Sequence, residues 1–477
     1  MKKGELVELT INGYAFEGKG IAKVNTENTE NKKFVVFVNG AYPGDKVIAE
    51  ITKVRKTYAV ARVNKLLSFS PHRITPLCKH FGICGGCKQQ DLNYEYQLKF
   101  KQEQVKDAFE RIGAFNYVSV LPIIPSKNVF YYRNKMEFSF SDERWLTESE
   151  INSDLEITDK NFSLGLHVPN NFYKVLDVNE CYLQSELSNS ILNFTRSFFK
   201  RKKVLPYSIK NHTGFLRNLV IRQSFHTNDV MVNLVTSNEN DQLLIEYTDE
   251  LKKLFPQITT VVNNISLKKS QVAFGDYEKV FLGSGFIYDK IGDWKFRISS
   301  NSFFQTNTLQ AETLYNIALE FADLSGNEIV YDLFSGAGTI PIFISKYAKE
   351  IFGFESVAPA IDDAVANASL NNVKNFKPIR TDLNKSFIPT LTEQKIPLPD
   401  VVITDPPRSG MNHKTIEDIL KLSPKKIVYI SCNPTTQARD VKLLCKEKYQ
   451  LTKLQPVDMF PHTYHIECVA LLTKIIK

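Results

Sequence analysis

No stretch of this 477-residue chain stays apolar for the roughly 20 residues that a membrane helix needs; the longest runs, "KFVVFV" among them, are strand-sized. The opening "MKKGELVELTING" lacks the apolar block of a secretory signal, so a cytoplasmic protein with no membrane partner is expected. Cysteine is scarce and badly suited to disulfides. There are seven, an odd number, and three of them crowd into "CKHFGICGGC", which in a cytosolic chain points to metal binding or catalysis. A strong excess of one charge is also missing, since the net charge is only +8. What surplus exists is local. Residues 1–70 hold twelve Lys/Arg against seven Asp/Glu, and the stretch from Arg196 to Lys210, with "KRKK" at 200–203, holds six bases and no acid. Either patch suits a polyanion or is simply a solvated face.

The length implies two or three domains. Residues 1–67 read as five short alternating strands split by turn formers such as "NGAYPGD", the pattern of a small OB-like β-barrel able to bind oligonucleotides. Residues 68–290 read as a mixed α+β central domain. It contains the cysteine knot at 78–87, a helix within "DLNYEYQLKFKQEQVKDAFERIG" and an acidic surface loop at 143–160. Residues 291–477 read as α/β. From about 325 strands and helices alternate, which predicts a mostly parallel sheet covered on both faces, with ligands at the carboxyl ends of its strands. The tail, "YQLTKLQPVDMFPHTYHIECVALLTK", predicts an antiparallel hairpin closing one edge.

"DLFSGAGTI" at 332–340 is a strand running into a Gly-rich turn. It is not G-x-G-x-x-G, which disfavours a dinucleotide, and it is similar to the first turn of Rossmann-like methyltransferases that bind S-adenosylmethionine. Gly336 and Gly338 would let the backbone approach such a ligand. Glu355, at the next strand end, can accept from both ribose hydroxyls; Asp382 after the third strand is a further candidate, for the adenine. Asp405 opens "DPPR" at the fourth strand end, where two prolines stiffen the loop. An aromatic residue after those prolines would suit methylation of ring nitrogens or amino groups. Arg408 stands there instead and argues against it.

Cys432 ends the fifth strand. "SCNPTTQARD" and "DMFPHTYHIE" resemble the nucleophile and general-base motifs of the RNA uracil-C5 methyltransferases. Carbon 5 of uracil is too weak a nucleophile to take a methyl group from a sulfonium. A thiolate added at carbon 6 makes an enolate and puts negative charge on carbon 5. After methyl transfer, a base must remove the carbon-5 proton so that the cysteine can leave.

With "YYRNKMEFSF" at 131–140 and "NSFFQTN" at 301–307, the resemblance spans nearly the whole chain and reaches the 23S ribosomal RNA (uracil-5-)-methyltransferases, with the barrel as a TRAM domain. It implies that Gln305, Phe334, Glu355 and Asp405 contact S-adenosylmethionine, that Cys432 is the nucleophile and that Glu467 is the base. Thr339 stands where the family often has Asn. The resemblance also makes Cys78, Cys84, Cys87 and Cys181 ligands of a [4Fe-4S] cluster, although four thiolates suit zinc equally by spacing. Cys445 and Cys468 are left as buried filler, and His462 and His465 as structural histidines. Phe303 and Phe304 are candidates to stack on an extruded uracil. Ribosomal RNA is preferred to tRNA because the tRNA enzyme that shares the catalytic core is expected to lack barrel and knot. A monomer is expected. The rivals are amine or ring-nitrogen methylation and a non-catalytic RNA-binding factor. Radical chemistry fails for want of C-x3-C-x2-C.

Overall fold

The computed structural model describes residues 1–24, 34–153, 157, 159–269, 273–446 and 448–475. At the N-terminus, strands β1 (Leu6–Thr10), β2 (Gly13–Ala15), β3 (Lys19–Val24), β4 (Phe34–Asn39), β5 (Lys46–Val54) and β6 (Tyr58–Ser68) form one sheet in the order β1-β5-β6-β4-β3-β2. Period-two alternation turns Leu9, Val36, Val38, Val47, Ala49, Ile51, Ala59 and Ala61 inward. The Asn12 amide donates to the Ile21 carbonyl at 2.9 Å, so the chain leaving β1 crosses to β3 and curls the sheet upon itself. The sequence pattern predicts five of these strands. The sixth, β2, has three residues, too few to show a period.

Helix α1 (Tyr94–Ala108) begins where the Asn93 side chain accepts from the Glu95 amide at 2.9 Å, and it continues through a wider turn to Gly113. It joins two bodies. Phe100 packs with Tyr14 and Tyr42 of the barrel, whereas Val105, Ala108 and Phe109 enter a core of the C-terminal sheet. The segment after it follows the same sheet, with Val120 bridging Leu454 and Ile124 bridging Val457.

The central sheet has the order β14-β13-β12-β11-β7-β9-β10-β8. Its strands are β7 (Lys135–Ser141), β8 (Arg144–Trp145), β9 (Ser163–Val168), β10 (Asn171–Asp177), β11 (Leu216–Gln223), β12 (Val230–Thr236), β13 (Thr260–Ile265) and β14 (Tyr277–Leu282). The acidic stretch at 143–160 contains β8 and a single helical turn, α2 (Glu148–Ile151), closed by a capping box between Thr147 and Glu150; residues 154–156 and 158 lie outside the described residues. Helices α3 (Glu186–Arg201) and α4 (Asp241–Leu254) bury Ile191, Phe198, Tyr247 and Leu251 against the sheet. The basic run is largely neutralised there. Lys200 pairs with Asp159, Arg201 with Glu250 and Lys202 with Glu246, while Arg196 pairs with Asp177 and Lys210 with Glu143. The bland reading of this patch therefore holds: acids distant in sequence answer its charge.

The C-terminal part starts with a hairpin, β15 (Phe286–Ile291) and β16 (Trp294–Ser299), within which position 290 falls. Then come α5 (Thr308–Ala322), β17 (Ile329–Leu333), α6 (Thr339–Ile344), β18 (Glu350–Glu355), α7 (Ala358–Leu370), β19 (Phe376–Arg380), α8 (Ile388–Glu393), β20 (Val401–Thr404), α9 (His413–Leu422), β21 (Lys426–Ser431), α10 (Pro434–Leu444), β22 (Tyr449–Val457) and β23 (Glu467–Lys474). The sheet order is β19-β18-β17-β20-β21-β23-β22. The first five are parallel and β23 runs against β21. One apolar layer holds the hairpin, α5, α6 and α7; the other holds α1, α8, α9 and α10. The tail forms the expected antiparallel pair, but β23 inserts between β21 and β22.

Candidate active site

The strand directions decide which side chains meet. The carboxyl ends of β17, β18, β20 and β21 and the amino end of β23 lie on one rim of the sheet, and the strand order reverses at β17, where open α/β sheets bind ligands. Ser431 pairs with Cys468 across β21 and β23, so Cys432 stands next to Glu467 in register. A cavity of about 920 Å³ opens at this rim. Gln305, Phe334, Glu355, Asp405, Cys432 and Glu467 all line it, six residues spread over more than 160 positions of sequence.

The Gly-rich turn is built from left-handed backbone. Gly336 and Gly338 have φ of 52° and 78°, and Phe334, which has a side chain, sits at 66°. A Cβ on Gly338 would come within 2.8 Å of the Phe376 ring, whereas one on Gly336 would meet open space. Glu355 folds over this turn. Its carboxylate accepts from the Gly336 amide at 3.1 Å and from the Ser356 and Val357 amides at 2.7 and 2.8 Å. Asp382 is not brought to the cavity; it is exposed and accepts from the Asn384 amide at 3.0 Å in a local turn. Thr339 is engaged by the Tyr315 hydroxyl at 2.9 Å.

Charge in the cavity is tightly bound to burial. Burial pushes the Asp405 carboxyl up to about 7, and burial followed by the charge of Asp405 holds Glu467 well above the usual carboxylate range. Burial, then Glu467 and Asp405, push the Cys432 thiol up to about 12, and Arg408 opposes them, partly through a hydrogen bond to the sulfur. Arg408 is itself held. Its carbonyl accepts from the Asn433 and Thr436 side chains at 3.0 and 3.2 Å, and its guanidinium donates to Nδ1 of His465. Burial and the neighbouring Arg408 push His465 down to about 4, which keeps that ring neutral and able to accept.

Residues 226–475 match the tRNA (Uracil-5-)-methyltransferase family, and residues 1–63 match the TRAM domain. The chain belongs to this family of RNA (uracil-5-)-methyltransferases. An uncharacterized RNA methyltransferase of Chlorobaculum tepidum is 42% identical over 98% of this chain and 96% of its own length. A second, from Bacteroides thetaiotaomicron, is 41% identical over 96% of this chain and 99% of its own. Among solved structures, the Pyrococcus abyssi tRNA (uracil-54, C5)-methyltransferase in complex with S-adenosyl-L-homocysteine is 29% identical, covers 98% of this chain and 100% of its own, and superposes with a TM-score of 0.74. That match removes one expectation. A tRNA enzyme coextensive with this chain means that the presence of the N-terminal barrel region does not separate ribosomal RNA from tRNA as substrates.

The methyltransferase treats its two histidines differently. His462 is structural, as expected: its ring stacks on Phe130 at 4.4 Å, its amide donates to Gln97 at 2.8 Å and its carbonyl accepts from the Lys88 and Gln89 amides. His465 instead lines the cavity through its contact with Arg408, which no sequence spacing announces. The adjacent phenylalanines also divide. Phe304 is 4% exposed in the core beside Phe296, while Phe303 is 70% exposed and faces the cavity. A buried ion pair supports the loop carrying Phe460, Thr463 and His465: Lys101 of α1 reaches Asp458 at 2.6 Å and the Phe460 carbonyl at 3.0 Å, with Tyr94 donating to Asp458 at 2.8 Å.

A second cavity, of about 490 Å³, shares a wall with the first through Gly85, Gly86, Arg133, Phe303 and Thr306. Cys78, Cys84, Cys87 and Cys181 all line it. The Gly86 amide donates to the Cys84 sulfur at 3.3 Å and the Gln90 side chain to the Cys87 sulfur at 3.7 Å. Among the described residues, no three His, Cys, Asp or Glu side chains are arranged to hold a metal ion. Cys468 is buried and Cys445 half-buried, in keeping with filler.

Proposed function

We propose that the chain transfers a methyl group from S-adenosylmethionine to carbon 5 of a uridine in 23S ribosomal RNA. The observation that carries the chemistry is the register of β21 on β23, which sets a thiol beside a buried carboxyl at the mouth of the Gly-rich cofactor turn; the choice of 23S ribosomal RNA rests on the sequence resemblance alone. Cys432 loses its proton to solvent and its thiolate bonds to carbon 6 of the uracil, the carbon 5–carbon 6 double bond opening so that the electrons pass to the carbonyl oxygen as an enolate. Carbon 5 then takes the methyl group, with the methyl–sulfur bond breaking and S-adenosylhomocysteine leaving. Glu467 removes the proton from carbon 5, the double bond reforms and the bond from Cys432 to carbon 6 breaks.

The free thiol is held neutral, so the reaction needs help with charge. Arg408 supplies it at the sulfur, and His465 accepts from Arg408 and fixes its direction. Gln305, Phe334 and Asp405 would hold the methyl donor, with Glu355 exchanging a backbone amide for ribose hydroxyls. Phe303 is the stacking surface for the extruded base.

For the second cavity the proposal is a [4Fe-4S] cluster on Cys78, Cys84, Cys87 and Cys181. Zinc would draw four sulfurs to about 2.3 Å from a single point. The four thiols line one cavity and N–H groups donate to two of the sulfurs, and the choice of iron and sulfide over zinc rests on the family resemblance. Its role is structural: it ties the knot to the central domain at Cys181. Iron and sulfide analysis of protein purified without oxygen should find both; zinc in their place overturns the assignment. Turnover unaffected by the cluster's redox state is expected.

The deciding experiment incubates the protein with total RNA containing 5-fluorouridine. Fluorine cannot be removed as a proton, so the protein should remain covalently bound to its target, and sequencing the captured RNA names the uridine. Captured 23S RNA supports the proposal. Captured tRNA selects a second reading, the same chemistry on tRNA, which the coextensive Pyrococcus abyssi tRNA enzyme favours. No covalent adduct in any RNA overturns both.

A further inference from the structure

A third cavity, of about 540 Å³, lies where the barrel, α1 and the start of α10 meet, and the chemistry above does not use it. Its size falls in the range of ligand sites, roughly 300–1,000 Å³. Phe37, Lys53 and Tyr58 of the barrel line it, with Gln104 and Arg111 from the α1 region and Thr435 from α10. Three features of this lining belong together.

The first is aromatic. Phe37 and Tyr58 come from neighbouring strands β4 and β6, meet edge to face with ring centroids 5.6 Å apart, and are only half-buried, so ring surface remains open. The second is charge. Lys53 is exposed and, with Arg55 and Lys56 of the same turn, has no ion-pair partner among the described residues; this is unlike the neutralised run at 200–202. Arg111 is held by Asp107 at 3.2 Å and adds less. The third is Gln104. It is 2% exposed, and neither its amide oxygen nor its amide nitrogen has a hydrogen-bond partner among the described residues. An amide left unpaired in the interior is costly, and a ligand with its own donor and acceptor would relieve that cost after a small turn of the side chain.

We propose that this cavity binds one unpaired nucleotide of the RNA substrate, beside the target uridine in the strand. Its base rests on Phe37 and Tyr58, its phosphate meets Lys53, and the Gln104 amide reads the base edge. Open aromatic faces next to unpaired cations are the means by which proteins hold single-stranded nucleic acid. Position supports the assignment. Thr435, on the cavity wall, follows Cys432 by three residues, a span of at most ~11 Å, which sets that wall near the proposed nucleophile. This inference rests on an RNA substrate, as proposed above, and adds a specificity site to it.

The test uses the full-length protein with a fluorescent single-stranded oligouridylate. Binding is followed by anisotropy, and contacts are mapped by ultraviolet crosslinking and mass spectrometry. Crosslinked peptides should contain Phe37 or Tyr58. The double variant Phe37→Ala/Tyr58→Ala should bind roughly tenfold more weakly or worse. Lys53→Glu, an exposed change that leaves the core alone, should weaken binding and lower the salt dependence of the affinity by about one unit of slope. Unchanged binding in Lys53→Glu, or crosslinks confined to other surfaces, overturns the proposal. Failure of the wild-type protein to form an adduct with 5-fluorouridine RNA would refute methyl transfer instead, and the anisotropy and crosslink map are independent of that result.

Discussion

The two cavities that share Arg133 and Phe303 both hold cysteines, and burial makes the thiols in both weaker acids. In the first, one thiol, Cys432, is pushed to about 12 by burial and two carboxyls, and one guanidinium opposes them. In the second, Cys84 is pushed to about 11 by burial, with Cys181 and Cys78 adding to it, while Cys181 is raised by burial and by Cys78. The contrast concerns how long the charge must last. In the proposed mechanism the nucleophile needs its anion only while the base is bound, with Arg408 and an incoming sulfonium to favour it. Four neighbouring thiols would repel one another if ionised together, and the proposed cluster would supply the lasting positive charge that four thiolates need.

Replacing the lone thiol tests this comparison most severely. Cys432→Ala should lower methyl transfer by about 10⁴-fold or more and abolish the 5-fluorouridine adduct on a denaturing gel. Cys87→Ala should lower iron content and melting temperature yet leave adduct chemistry in the protein that remains folded. Equal loss of adduct in both variants would break the distinction. Glu467→Gln should separate the two halves of the reaction: release slows by about 10²–10⁴-fold, and an adduct should accumulate on ordinary uridine RNA.

Both cavities depend on the loop at 458–465, since Phe460 and His465 line the first and the His462 carbonyl holds the chain leaving the knot. Lys101→Met leaves Asp458 buried and unpaired, and denaturant titration should show a loss of about 3–5 kcal/mol. A smaller effect is expected at His465. His465→Phe removes the acceptor that aligns Arg408, so kcat/KM should fall by about 10–100-fold, the worth of one charge-assisted hydrogen bond. Its pH–rate profile should shift upward, with partial recovery in His465→Asn. The mildest test is alkylation. Because the folded thiol is raised, its reactive anion is scarce at neutral pH, and iodoacetamide labelling of Cys432 in the cofactor-free protein should climb steadily from pH 8 toward about 12. Adding S-adenosylmethionine should raise the rate at pH 8 if its positive charge lies beside the sulfur.

Much of the catalytic cavity was legible because its residues sit at strand ends, where an apolar run stops at a polar residue of recognisable chemistry. Asp405 and Cys432 are of this kind. Glu355 was legible as an acid at a strand tip, but not as one folded over its own Gly-rich turn. His465 reads as a structural histidine by sequence, and its contact with Arg408, 57 positions away, is visible only in the fold. The basic run at 200–203 suits either a polyanion or a solvated face by sequence, and Glu246 and Glu250, opposite it on another helix, favour the second.

Local order determined the elements themselves: alternation made the barrel and parallel strands, caps and turn residues placed their ends, and the resemblance carried by "SCNPTTQARD" and "DMFPHTYHIE" pointed to the reaction. Tertiary structure decided which distant groups share a space. Glu467 beside Cys432, Lys101 against Asp458 over 357 positions, and four cysteines around one hollow all follow from sheet order and core packing. Those contacts arise when the whole chain buries its apolar faces together, and a side chain's charge state depends on what that burial leaves beside it.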